Sequence, residues 1–273
     1  MANSFSWSNL FLALLGCYLV VAALLYFSQS SQVYHPPKGH TGTPAQWGMD
    51  FETVHLNSEG VTLVNWWIPG REDRPVVLFF HGNATNISEM QGHVSLFSSL
   101  GMGVFLLDYR GYGLSEGEPS EAGTQADAEA AWRYLVEMKN IPADRLLFYG
   151  HSLGGGVASG LAVDHPPGWL VLEGTFTSIP DVAAQLYPYL PVRLMAHIIY
   201  PNLDRIARIK APLLVIHSSD DEIIPDSHGK KLFEAAHQPK QFYPASGSHH
   251  SGFSSGGRQS IQVLSAFIFP SEG

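Results

Sequence analysis

An α/β fold, built on a mainly parallel, doubly wound sheet and preceded by one hydrophobic helix, is predicted by three features of the sequence. Short apolar strand-like runs alternate with helical patterns over most of the chain. A G-x-S-x-G turn stands between one of those runs and a helix-compatible stretch. Near the N-terminus, residues 10–27 read LFLALLGCYLVVAALLYF without a charge.

That apolar run comes first in the chain. As a helix rising about 1.5 Å per residue it nearly spans a bilayer core of about 30 Å. Residues 1–28 are therefore expected to form a single-pass anchor that holds the protein to a membrane. A cleaved signal peptide fits less well, because no Lys or Arg precedes the run and no clear small-x-small site follows it. Leu14-Leu15-Gly16-Cys17 has the form of a bacterial lipobox, but mostly apolar residues follow Cys17 where a polar tether is expected. Lys38 is the only basic residue near this segment, and it weakly favours a cytoplasmic catalytic domain. Residues 29–50 are polar and rich in Gly and Pro, the composition of a linker or of an arm lying over the domain.

Residues 51–273 are expected to form one catalytic domain. The chain has 273 residues, 45% of them hydrophobic and 14% charged, enough to bury a sizeable core. Its formal charge of −9 repels nucleic-acid phosphates, so nucleic acid is not an expected partner. The lone cysteine, Cys17, excludes an intrachain disulfide or a cysteine metal cluster, and none of the 13 histidines lies in a compact ligand pattern. No metal and no cofactor is expected. Strand-like runs fall at 51–56, 61–67, 75–80, 104–108, 146–149, 169–172, 213–217 and 241–243, the first two as a hairpin. The later ones, such as VVLFF, are continuously apolar, as strands covered on both faces must be. Function in such a sheet belongs at the carboxyl ends of its strands.

The chemistry-bearing residues stand at those ends. Gly150-His151-Ser152-Leu153-Gly154 follows the strand LLFY and opens a helix-compatible run, so a tight turn lifts the hydroxyl of Ser152 clear of the sheet. The helix start aims free N–H groups at any oxyanion formed there. A second strand, VVLFF, ends in His81-Gly82-Asn83-Ala84. In the fold that a G-x-S-x-G turn suggests, the residue after such a His-Gly pair and the residue after the nucleophile donate backbone N–H groups to an oxyanion hole, here Asn83 and Leu153. Asn83 and Asn86 also begin glycosylation sequons; a glycan on Asn83 would block the site, and His81 reads as a residue that orders its loop.

A serine hydroxyl needs a base, and an imidazole serves best when a carboxylate fixes its tautomer. The acid is expected after the run LLVIH, where Asp221 is preferred over Asp220, and the base in Gly247-Ser248-His249-His250, where His249 is preferred over His250. Glu173 ends another strand and is an alternative acid. Tyr109-Arg110-Gly111-Tyr112-Gly113 lacks the G-x-G-x-x-G pattern, and Arg110 reads as structural.

Taken in order, His81-Gly82-Asn83-Ala84, Asp108-Tyr109-Arg110-Gly111-Tyr112-Gly113, Gly150-His151-Ser152-Leu153-Gly154, Asp221-Glu222 and His249 resemble the membrane-anchored α/β-hydrolase domain proteins, relatives of protein depalmitoylases, monoacylglycerol lipases and serine-aminopeptidase-like hydrolases. The resemblance covers about residues 50–270. It implies an α/β-hydrolase fold with a short helical cap, about residues 178–210, and a Ser152–Asp221–His249 triad. The cap segment carries Leu186, Tyr187, Tyr189, Leu190, Leu194, Met195, Ile198, Ile199 and Tyr200, which either receive an acyl chain or pack on the sheet. The expected activity is hydrolysis of carboxylic esters or thioesters of lipid or acyl substrates. A serine peptidase releasing N-terminal residues is the rival, against which stands the lack of an acidic cluster in the cap to grip a free amine. A non-catalytic binding protein on this fold would lack a triad member, and an aspartate nucleophile, as a dehalogenase needs, is absent at position 152.

Overall fold

A computed structural model of the chain describes residues 7–250 and 252–270. The first six residues of the expected anchor, Ser251 and the last three residues of the expected domain lie outside them. Eight strands are described: β1 (Glu52–Ser58), β2 (Val61–Ile68), β3 (Val76–Phe80), β4 (Gly103–Leu107), β5 (Leu146–His151), β6 (Trp169–Glu173), β7 (Leu213–Ser218) and β8 (Lys240–Ala245). Each strand-like run of the sequence falls on one of them. They form one sheet in the order β1-β2-β4-β3-β5-β6-β7-β8. The β1–β2 hairpin and the β2–β4 pair are antiparallel, and every other neighbouring pair is parallel.

The helices are α1 (Trp7–Phe27), α2 (Gln29–Val33), α3 (Gln91–Ser99), α4 (Glu121–Arg133), α5 (Leu153–Asp164), α6 (Ile179–Leu186), α7 (Val192–Met195), α8 (Asn202–Ile206), α9 (Ser227–Ala235) and α10 (Arg258–Ile268). Helices α3, α4, α5, α8, α9 and α10 cover its two faces, which is why the inner parallel strands, β3 to β7, are buried along nearly their whole length. Leu78 and Phe80 share one core with Ala131 of α4, Val157 of α5, Ile206 of α8 and Leu232 of α9. Val77 and Phe79 share the other with Phe97 of α3 and Leu264 of α10. Each such buried Leu or Phe contributes about 1.5–3 kcal/mol relative to exposure. Serines start two of the helices: Ser120 Oγ accepts the Gly123 N–H at 3.0 Å ahead of α4, and Ser178 Oγ accepts the Asp181 N–H at 3.2 Å ahead of α6.

Helix α1 has 21 residues, about 31 Å of helix. None of them is buried, and its mean hydropathy of 2.5 makes it long and apolar enough to cross a membrane by length and composition. The Gly- and Pro-rich stretch after α2 lies along the domain. Tyr34 is buried with its hydroxyl 3.0 Å from that of Tyr200, His40 Nε2 lies 2.7 Å from Asp108 Oδ2, and the Gly39 and Gly113 amides donate to Gly113 O and Pro37 O at 2.8 and 2.9 Å. Lys38, read from sequence as a topology signal, donates to the Gly111 carbonyl at 2.6 Å. The cap segment divides between its two sequence readings. Ile198 and Tyr200 are buried in the core, whereas Leu186, Leu190 and Met195 line a cavity that also holds Ser152.

Candidate active site

Ser152 follows directly on β5 with φ 54° and ψ −119°, a conformation that costs a non-glycine residue about 1–3 kcal/mol. Two bonds hold it there: its N–H donates to Glu173 O at 2.9 Å, and Thr175 Oγ1 donates to Ser152 O at 2.7 Å. The turn is so tight that its flanking glycines are required. A Cβ on Gly150 would stand 2.5 Å from the Gly154 carbonyl oxygen, and one on Gly154 would collide with the carbonyl oxygen of Phe80. Ser152 occupies the N-cap position of α5 but its side chain does not cap the helix. Its Oγ lies instead 2.8 Å from His249 Nε2.

His249 stands on the loop after β8, with Nδ1 2.7 Å from Asp221 Oδ2 on the loop after β7. The other Asp221 oxygen accepts the N–H groups of Ile223 and Ile224 at 2.9 and 2.8 Å. Burial opposes ionisation of Asp221, but hydrogen bonds from His217, His249 and the Ile224 amide outweigh it and hold the carboxyl well below the usual carboxylate range. A carboxylate accepts, so Nδ1 of His249 carries the hydrogen and Nε2 is left to accept from Ser152. The structure therefore brings Ser152, His249 and Asp221 into one hydrogen-bonded chain. Their neighbours point elsewhere: Asp220 is exposed and accepts the Gly247 N–H at 3.2 Å, and His250 is exposed with its ring edge-on to His249 at 5.3 Å.

Glu173, the alternative acid, does not reach His249. Its Oε2 lies 2.8 Å from His93 Nε2 and 2.7 Å from the Tyr149 hydroxyl, which donates to it. Burial opposes the charge, yet the attraction of His93 and its hydrogen bond prevail, and the carboxyl is pulled down to about 2. Arg110 is structural, as read: its guanidinium pairs with Asp127 at 2.8 Å and donates to Ser58 Oγ at 3.0 Å.

Asn83 and Leu153 flank Ser152. A Cβ on Gly82 would lie 3.4 Å from Ser152 Cβ, so the loop ending β3 runs against the serine. Three hydrogen bonds fix Asn83: Nδ2 donates to Val33 O at 2.9 Å, and Asn83 O accepts the His35 N–H at 3.2 Å and the Tyr112 hydroxyl at 3.0 Å. The backbone N–H groups of Asn83 and Leu153 have no hydrogen-bond partner among the described residues, and both residues line the cavity beside Ser152. His81 orders this loop, with Nδ1 2.7 Å from Gly82 O and Nε2 3.2 Å from Asp108 Oδ1. The second sequon residue, Asn86, is buried and donates to Gly39 O at 2.8 Å, which leaves no room for a glycan.

Sequence reasoning missed the residues that brace the site from behind. His217 Nε2 donates to Ile224 O at 2.8 Å and lies 3.5 Å from Asp221 Oδ2. His151 Nε2 donates to the carbonyl of His249 at 3.0 Å. Position 151, next to Ser152, and position 217, four residues before Asp221, were local signals for these two; His93 carries none. Burial pushes the His151 imidazole down to about 4, against the pull of Glu173. Its folded value lies below its unfolded one of about 6.5, so the stability that it confers is full above pH 6.5 and is lost as the pH falls towards 4. The difference between the two values corresponds to about 3 kcal/mol. Urea midpoints at pH 7 and pH 4.5 should therefore differ less for His151→Gln than for the wild type, and equal pH slopes would contradict this assignment.

The cavity beside Ser152 has a volume of about 260 Å³. Apolar side chains dominate its wall, among them residues of α6, α7 and the Ile223–Ile224 turn, and no Asp, Glu, Lys, Arg or His is among the described lining residues.

Comparison with known proteins finds relatives of the same family and fold. The model of the family described as Serine aminopeptidase, S33 matches residues 71–202. The α/β hydrolase domain-containing protein WAV2 of Arabidopsis thaliana is 35% identical over 278 residues, covering 92% of this chain and 90% of the relative. Protein bem46 of Schizosaccharomyces pombe is 35% identical over 237 residues, covering 81% and 79%. The solved structure of the Pyrococcus furiosus esterase Pf2001 superposes with a TM-score of 0.73 at 19% identity, over 88% of this chain and 98% of the esterase, a likeness of fold.

Proposed function

The chain belongs to the α/β-hydrolase superfamily, and from that premise we propose that it is a membrane-anchored serine hydrolase of carboxylic esters or thioesters that works through an acyl-enzyme on Ser152. Residues 1–28 anchor it, 29–50 form the arm over the domain, and 51–273 form the catalytic domain. The observation that carries the substrate class is the uncharged, apolar cavity with Ser152 in its wall.

The hydrogen bonds support the following steps. His249 Nε2 takes the Ser152 proton as Oγ attacks the carbonyl carbon, and Asp221 steadies the imidazolium that results. The N–H groups of Asn83 and Leu153 stabilise the oxyanion. As the C–O or C–S bond breaks, His249 returns its proton to the leaving alcohol or thiol, and Ser152 is left acylated. Water, deprotonated by His249, attacks the acyl carbon; the carboxylic acid departs and the proton goes back to Ser152.

The matched family's description favours a second reading, an aminopeptidase. An aminopeptidase must bind a protonated amine, and the cavity lining offers that cation no carboxylate. A panel of acyl esters of rising chain length, run beside aminoacyl amides, separates the two. Each buried methylene is worth about 0.8 kcal/mol, or up to about fourfold in kcat/KM, so rates should climb over the first several carbons. Faster turnover of the amides would overturn the ester reading.

A further inference from the structure

The catalytic domain alone does not close the cavity beside Ser152. Leu25 and Tyr26 at the end of α1, with Val33 of α2, form part of its wall. The same region is bound to the cap: Gln29 Nε2 donates to Met195 O, and Gln29 Oε1 accepts the His197 N–H, both at 2.9 Å. Tyr187 OH donates to Gln32 Oε1 at 3.3 Å. The contact also climbs α1, because Tyr18 OH donates to the carbonyl of Tyr189 at 3.2 Å. Tyr18 stands nine residues before Phe27, the last residue of α1. At about 1.5 Å per residue that is about 13 Å up the helix. If α1 spans a bilayer, the turn between α6 and α7 lies at the same depth.

The side chains of that turn suit hydrocarbon and not water. Seven large hydrophobic residues outside α1 are exposed among those described, and four of them, Leu186, Tyr187, Tyr189 and Leu194, belong to the cap. Tyr189 and Leu194 are 90% and 89% exposed. From 185 to 195 the only charge is Arg193, which pairs with Asp181 at 2.9 Å. An apolar cluster of this kind, continuous with an apolar helix, is a surface made for contact.

Resting on the anchor and the acyl-enzyme proposed above, we infer that the tip of the cap is seated in the bilayer beside α1, and that the cavity is loaded from the side by the acyl chain of a lipid resident in that bilayer. The chain passes between the base of α1 and α6 until its carbonyl reaches Ser152. The substrate class is thereby a long-chain acyl ester drawn from the membrane itself, with α1 acting as a wall of the binding site as well as a tether.

The full-length protein in phosphatidylcholine vesicles tests this, using a fluorogenic palmitoyl ester dissolved in the vesicles and p-nitrophenyl acetate in the surrounding water. Neither Tyr189 nor Leu194 lines the cavity. The double variant Tyr189→Glu, Leu194→Glu should hydrolyse the palmitoyl ester at least tenfold more slowly than the wild type and the acetate within twofold of it. Unchanged palmitoyl rates in the variant would overturn lateral loading and leave the hydrolase reading standing. Equal loss on both esters would overturn it too, because the tip would then serve the fold and not the loading. A wild type that cleaves neither ester would overturn the hydrolase reading and this inference together.

Discussion

Ser152→Ala is expected to lower kcat for ester hydrolysis about 10⁵- to 10⁶-fold. The substitution removes the atom that attacks the carbonyl and leaves the cavity, His249 and the candidate oxyanion donors in place. What remains is the slow attack of water on a bound ester. Little of the loss would come from unfolding. The variant forfeits one hydrogen bond, that between Oγ and His249 Nε2 at 2.8 Å, worth about 0.5–1.5 kcal/mol. In a domain of this size that shifts Tm by only a few degrees, about 2–4 °C per kcal/mol. The bonds that hold the strained backbone at position 152, to Glu173 O and from Thr175 Oγ1, involve only the main chain of residue 152 and survive. Turnover by the purified variant, measured beside its thermal melt, separates chemistry from folding; activity within tenfold of the wild type would remove Ser152 from its role.

The second large effect concerns the acid. Asp221→Asn should lower kcat/KM about 10⁴-fold, whereas Asp220→Asn should change it less than threefold. An asparagine at 221 keeps the shape but presents an N–H where His249 now finds an acceptor at 2.7 Å. The imidazole then turns its lone pair towards residue 221 and its hydrogen towards Ser152, the wrong tautomer for a base. Asp220 is exposed, and its one described role towards the base loop is to accept the Gly247 N–H. A large loss at Asp220 with a small one at Asp221 would reverse the assignment.

Adjacent pairs such as these mark the limit of what the chain reveals when read in one dimension. The central strands β3 to β7 were legible because a parallel strand buried on both faces must be apolar at nearly every position, and VVLFF or LLVIH leaves little else to infer. The turn at Ser152 was legible for a steric reason, since Gly150 and Gly154 stand where no side chain fits. Asp220 and Asp221, or His249 and His250, are the same residue types in the same loops. Only the loop's path decides which one turns inward, and that path depends on contacts such as Ser218 Oγ donating to Gly247 O at 2.6 Å. The bonds of His151 to His249 and of the His93–Glu173–Tyr149 cluster were hidden because their partners lie far apart in sequence, whereas His217 stands only four residues before Asp221 and its bracing depends on how the turn between them folds. The meeting of α1 with the cap was hidden for the same reason: an apolar run reads as a helix, but nothing in its spacing says that Leu25 and Tyr26 line a cavity.

The central claim, an acyl-enzyme on Ser152, is tested most directly by the mass of the intact protein after reaction with a fluorophosphonate, which traps an activated serine as a stable ester. The wild type should gain one adduct that maps to the peptide carrying Ser152, and Ser152→Ala should gain none. An adduct on another residue, or equal labelling of both proteins, would contradict the account.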